Sequence, residues 1–150
     1  MTMSRRRVGA QMSVYPVLMH TAIEATDCRS LAEFYRQFLG LRYRPGDEIP
    51  VDGSDDDPGW LVLLDPAGRR VFAFQQVPIL TRPTWPAHDV PKQMHHDFRV
   101  PSIKELQRQR QRAEELGATL LHDRTDDDSE PLYVLADPAG HPFCLLVSSG

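Results

Sequence analysis

Cysteine is scarce: Cys28 and Cys144 are the only two in 150 residues. Two thiols cannot build a disulfide framework, so a reducing cytoplasm is the expected location. Positive charge is also short, with a formal net charge of −4. That balance excludes general nucleic-acid binding, which needs a basic face. No apolar run is long enough to span a bilayer, so no membrane partner is expected. Arg5, Arg6 and Arg7 are followed by no long apolar run before Tyr15-Pro16. We read residues 1–13 as a flexible, solvated arm and not as a secretory leader. Residues 14–150 are expected to form one domain, large enough to bury roughly 70% of its unfolded surface without covalent staples.

What the chain does have is a repeated hairpin. DDDPGWLVLLDPAGRRVFAFQQV runs from Asp55 to Val77, and DDDSEPLYVLADPAGHPFCLLV runs from Asp126 to Val147. Each has an aspartate triplet, an apolar run, Asp-Pro-Ala-Gly and a closing apolar run. Proline presets φ at the second turn position and glycine accepts the exit dihedral, so each segment predicts strand, tight turn, strand. Such internal similarity points to duplication.

The segments before the hairpins match too. Val14 to Ala25 predicts a strand beginning near Val17, with His20, Ala22 and Glu24 on one face. Asp27 then caps a helix carrying Leu31, Phe34, Tyr35, Phe38 and Leu39 on one side and stopped at Gly40. Leu41 to Tyr43 is a short strand, followed by an acidic loop to Gly59. In the second half, Met94 to Val100 predicts a strand with His95, Asp97 and Arg99 on one face and His96, Phe98 and Val100 on the other. Ser102 and Glu105 form a capping box for a helix from Ile103 to Leu116, and Thr119 to Leu121 is again a strand. Between the halves, prolines at 78, 83, 86 and 91 rule out regular structure and predict an extended crossing. The expected fold is therefore α+β: two paired βαβββ modules, about 14–77 and 94–148, joined by a crossing over 78–93. Their curved mixed sheets would surround a central cleft, with the helices outside.

His20-Thr-Ala-Ile, FYRQFLGL from Phe34, His95 before an alternating strand, LGAT from Leu116 and the closing DPAGHPFCLL together resemble the glyoxalase/bleomycin-resistance/dioxygenase family, or vicinal oxygen chelate superfamily. The Pro-rich PTWPAHDVPKQMHHDF resembles its glyoxalase-like subgroup. The likeness covers about residues 15 to 148 and implies the paired-module fold just derived. It also implies a cleft in which metal-dependent members hold a divalent ion with one residue from each of four strands, typically His, Glu, His and Glu. Onto these positions fall His20, either Gln75 or Gln76, His95 and Cys144. The Phe-x-Phe-Gln pattern favours Gln75, and strand parity with Cys144 favours Gln76.

The second and fourth positions thus lack a carboxylate, which suits a hard, oxygen-preferring ion poorly. We therefore expect a small-molecule-binding protein without the usual metal site, in which His20 and His95 hydrogen-bond a ligand. The alternative is a metal-dependent lyase, isomerase or dioxygenase in which zinc, nickel, manganese or iron is held by His20 and His95, with Gln75 or Gln76 and Cys144 completing the shell. Asp97 is expected on the cleft side. Trp60, Phe72, Phe74 and Trp85 suggest aromatic pocket walls, though aromatics on alternating strand positions also fill cores. The aspartate triplets lack calcium-loop spacing and read as solvated loops. His141 reads as structural, and His88 and His122 lie in loops. Resemblance to a family of frequent dimers suggests a homodimer.

Overall fold

The computed structural model describes residues 14–148; the arm expected over residues 1–13 lies outside the described residues. The first module contains strand β1 (Thr21–Ala25), helix α1 (Cys28–Leu39), and strands β2 (Arg42–Tyr43), β3 (Trp60–Leu64) and β4 (Arg70–Gln76). The second repeats the order as β5 (His96–Val100), α2 (Ile103–Glu115), β6 (Thr119–Asp123), β7 (Leu132–Ala136) and β8 (Pro142–Val147). Each module forms one four-stranded mixed sheet, ordered β1-β4-β3-β2 and β5-β8-β7-β6. In both, the first and last strands pair in parallel and the others are antiparallel. The two strands that open the modules begin later than their apolar patterns suggested, at Thr21 and His96.

Local chemistry sets the helix ends. The Asp27 side chain accepts a hydrogen bond from Ser30 N, and the Ser102 hydroxyl accepts one from Glu105 N. Each satisfies a donor that the first helical turn leaves without a partner. Gly40 ends α1 at φ 66°, a left-handed conformation that costs a side-chain-bearing residue energy and glycine little.

The helix-facing sides of the two sheets belong to one core. Phe34, Tyr35 and Phe38 of α1 touch Phe72 and Phe74 below them, and also Phe98 and Phe143 of the second module. Fully burying each such ring is worth about 1.5–3 kcal/mol, so α1 joins the modules energetically as well as covering its own sheet. Arg112 of α2 adds a polar tie, donating to Gln37 O at 3.0 Å. The other faces carry smaller apolar clusters, Val62, Leu64 and Ala73 on the first sheet and Leu132, Val134 and Cys144 on the second.

The two hairpins differ by one residue. In the second, Ala136 pairs with Pro142 and Leu135 with Phe143 without interruption. In the first, Leu64 pairs with Arg70 but Leu63 pairs with Phe72, which leaves Val71 as an inserted residue. A bulge of this kind reverses the face of every residue beyond it. Ala73, and not Phe72, is therefore the structural counterpart of Cys144: Ala22 pairs with Ala73 as Asp97 pairs with Cys144.

Candidate functional site

The bulge places Gln75 on the same face as Ala73, in register with Glu24 on one side and Trp60 on the other. Gln76 points the other way and acts structurally. Its Oε1 accepts from Cys28 N at 2.9 Å at the start of α1, and its Nε2 donates to Thr26 O. The parity argument for Gln76 fails because it counts Val71 as an ordinary strand position.

Two groups of expected site residues emerge, one on each sheet. On the first sheet, the His20 ring lies 5.8 Å from that of Trp60, centroid to centroid, on the face that Gln75 shares. His20 Nδ1 is buried without a hydrogen-bond partner among the described residues. Burial, then the charges of Arg70 and Arg44, lower the His20 pKa and keep the imidazole neutral. On the second sheet, the register sets Asp97 beside Cys144, and His95, just ahead of β5, reaches the same pair. His95 Nε2 is 3.3 Å from Asp97 Oδ1, and a ligand atom from each of His95, Asp97 and Cys144 lies within 4.8 Å of the other two. Burial, followed by a hydrogen bond to Asp97, pushes the Cys144 thiol up to about 11. Trp85 folds back from the crossing onto Leu132, Val134 and Cys144, with Lys92 Nζ 4.3 Å above its ring. Phe72 and Phe74 take no part in either group: they are core residues, 4% and 0% exposed, under α1.

A cavity of about 560 Å³ lies where the modules meet. The first module contributes Thr21 to Glu24 and Tyr35, the second contributes His95, His96, His141 and Pro142, and the crossing contributes Leu80 and Pro91 to Met94. The seam is pinned from both sides. His141 Nε2 is 2.6 Å from Glu24 O, and since a carbonyl only accepts, that nitrogen carries the proton. Tyr35 donates to Asp137 Oδ2 at 2.7 Å. Asp137 Oδ1 accepts from Ala139 N and His141 N, closing the turn of the second hairpin. Burial raises the Asp137 pKa, and burial lowers that of His96, whose ring packs 4.8 Å from Phe72.

Sequence reasoning assigned His96 to the opposite face from His95 and His141 to a structural role; both line the seam as well. Tyr35 was visible only as one more apolar residue on α1. Its hydroxyl, which needs a partner when buried, is the signal that could have marked it.

The four positions that the resemblance assigned to an ion offer two imidazoles, the neutral Gln75 amide and a protonated thiol. Among the described residues, the group of donors close enough to share an ion does not include His20. Arg70 and Arg44 oppose positive charge at His20. This donor set does not fit a hard divalent ion held between the two modules.

Comparison with known structures agrees with the architecture. The fosfomycin resistance protein FosX of Listeria monocytogenes superposes with a TM-score of 0.63 at 15% identity, over 90% of this chain and 95% of that one. A second structure of the same Listeria protein, complexed with Mn(II) and sulfate, gives 0.60 at 15% identity over 90% and 94%. A glyoxalase/bleomycin resistance protein/dioxygenase family enzyme of Burkholderia phytofirmans PsJN gives 0.61 at 16% identity over 86% and 96%. At these identities the likeness shows the fold. No curated protein matches in sequence. No helix among the described residues is long and apolar enough to cross a membrane. The family model described as a glyoxalase-like domain matches residues 20–146, so the chain belongs to the glyoxalase-like family.

Proposed function

We propose that this protein binds a small organic molecule in the cavity between its modules, without an ion shared by the two sheets. The observation that carries the proposal is the cavity itself. Its volume of about 560 Å³ falls within the range of small-molecule sites, about 300–1,000 Å³. Its lining combines Ile23, Leu80 and Met94 with a few convergent polar groups, Glu24, His95 and His96. Such a surface suits a ligand with an apolar body and one or two hydrogen-bonding groups. The alternative, a metal-dependent lyase, isomerase or dioxygenase with its ion held by both His20 and His95, is not favoured by the donor set.

Two further elements belong to the proposal. Val17, Leu18, Ile79 and Met94 are exposed apolar side chains that a homodimer would cover. The two unpaired, buried cysteines suit a cytoplasmic location.

A fragment library screened by ligand-observed NMR in the presence of chelator tests the binding reading. Hits should bind the parent protein and be lost in Ala22→Trp, which fills the cavity from β1. Hits that bind both proteins equally would remove the cavity from the proposal.

A further inference from the structure

We propose that the second module captures a zinc ion by itself, through His95, Asp97 and Cys144. This is a different site from one shared by both sheets, and it does not depend on the small-molecule reading.

Three observations converge on it. The donors are an imidazole nitrogen, a carboxylate oxygen and a thiol sulfur, all within 4.8 Å of one another. A tetrahedral zinc with bonds of about 2.0–2.3 Å would draw them together by small side-chain rotations. The scaffold is regular for two of the donors: Asp97 and Cys144 are register partners on adjacent parallel strands, and His95 Nε2, from just ahead of β5, lies 3.3 Å from Asp97 Oδ1. The protein also supplies an internal control. At the matching pair in the first module the fold places Ala22 beside Ala73, so the architecture does not itself require an acid and a thiol there.

The choice of ion follows from the donors. Nitrogen, oxygen and sulfur together suit zinc, whereas manganese and magnesium prefer oxygen shells. Thiolate and carboxylate would neutralise the dication, the thiol proton passing to the buffer. Cys144 is 7% exposed while His95 and Asp97 are exposed, so an ion could reach the three donors from solvent. Three protein ligands and one open position is the arrangement of reactive zinc sites, in contrast to closed structural ones.

Cobalt(II) serves as the spectroscopic probe, titrated into the tag-free full chain. The expected result is one equivalent per chain, a thiolate-to-cobalt charge-transfer band in the near ultraviolet, and bleaching of that band by zinc. Cys144→Ser should abolish the band. Asp97→Asn, at an exposed site that should not disturb folding, should weaken binding at least tenfold, as should His95→Ala. His20→Ala and Gln75→Ala should change nothing. Absence of the band at saturating cobalt would overturn the proposal, as would its survival in Cys144→Ser or failure of zinc to bleach it. A requirement for His20 would mean an ion shared between modules, and would overturn it too. Loss of fragment binding in Ala22→Trp with an intact cobalt band would separate the cavity from the metal site.

Discussion

Removing one hydroxyl, in Tyr35→Phe, should weaken the joint between the modules by a calculable amount. Tyr35 is 1% exposed and Asp137 2% exposed, and their hydrogen bond of 2.7 Å spans the two modules. The Asp137 Oδ1 atom has two backbone donors, whereas Oδ2 accepts from the Tyr35 hydroxyl. A buried bond to a carboxylate is worth about 1.5–3 kcal/mol, and phenylalanine leaves no other large defect, so the loss should be about 2 kcal/mol at neutral pH. For a domain of this size that lowers Tm by about 4–8 °C. The pH dependence carries a sign. Burial raises the Asp137 pKa, while His141 and the Tyr35 bond pull it down; His96 also feels its charge. Without Tyr35 the pKa of Asp137 in the folded state rises further. A carboxyl raised in the folded state retains its full contribution to stability only below its unfolded pKa, and loses it as pH rises through the folded value. The deficit of the variant is therefore largest at neutral pH and shrinks as acid protonates Asp137 in both proteins. Urea unfolding followed by circular dichroism, at neutral pH and again in mild acid, measures it. A deficit below about 0.5 kcal/mol, or one that grows on acidification, would refute the assignment of this buried bond as a joint between the modules.

Two other predictions concern stability. Gly140 has φ 98°, and a Cβ there would lie 2.9 Å from Arg82 Cγ of the crossing. Gly140→Ala should cost about 2 kcal/mol in denaturant unfolding, and less when Arg82 is already alanine, because only the backbone strain then remains. Gln76→Ala should cost about 1 kcal/mol by freeing the start of α1, while Gln75→Ala stays within about 0.5 kcal/mol of the parent. The reverse order in the same assay would mean that the bulge at Val71 is misplaced.

The architecture was legible in the sequence because each of its devices is local. The repeated Asp-Pro-Ala-Gly hairpins, the caps at Asp27 and Ser102 and the glycine stop at Gly40 each involve a few neighbouring residues with defined dihedral demands. The alternation of His95, Asp97 and Arg99 likewise gave the face of β5. What escaped was whatever depends on one segment meeting another. A single bulged residue, Val71, decides between Gln75 and Gln76, and strand periodicity cannot see it. Phe72 and Phe74 carry the same alternation whether they line a cleft or fill a core; only the placement of α1 decides that they are core. His96 and His141 reach the seam because the modules join there, and the joint rests on Tyr35 and Asp137, 102 residues apart in sequence. Trp85 reaches Cys144 through a crossing whose prolines announce only that it is irregular.

The central claim is that a small molecule occupies the space between the modules with no ion shared by them. A crystal structure of chelator-treated protein with its tightest-binding fragment tests it most directly. Density at the seam, in contact with Glu24 and with His95 or His96, is the predicted result. A fragment seated elsewhere while the seam stays empty would contradict it, and so would binding that appears only when an ion joins His20 to His95.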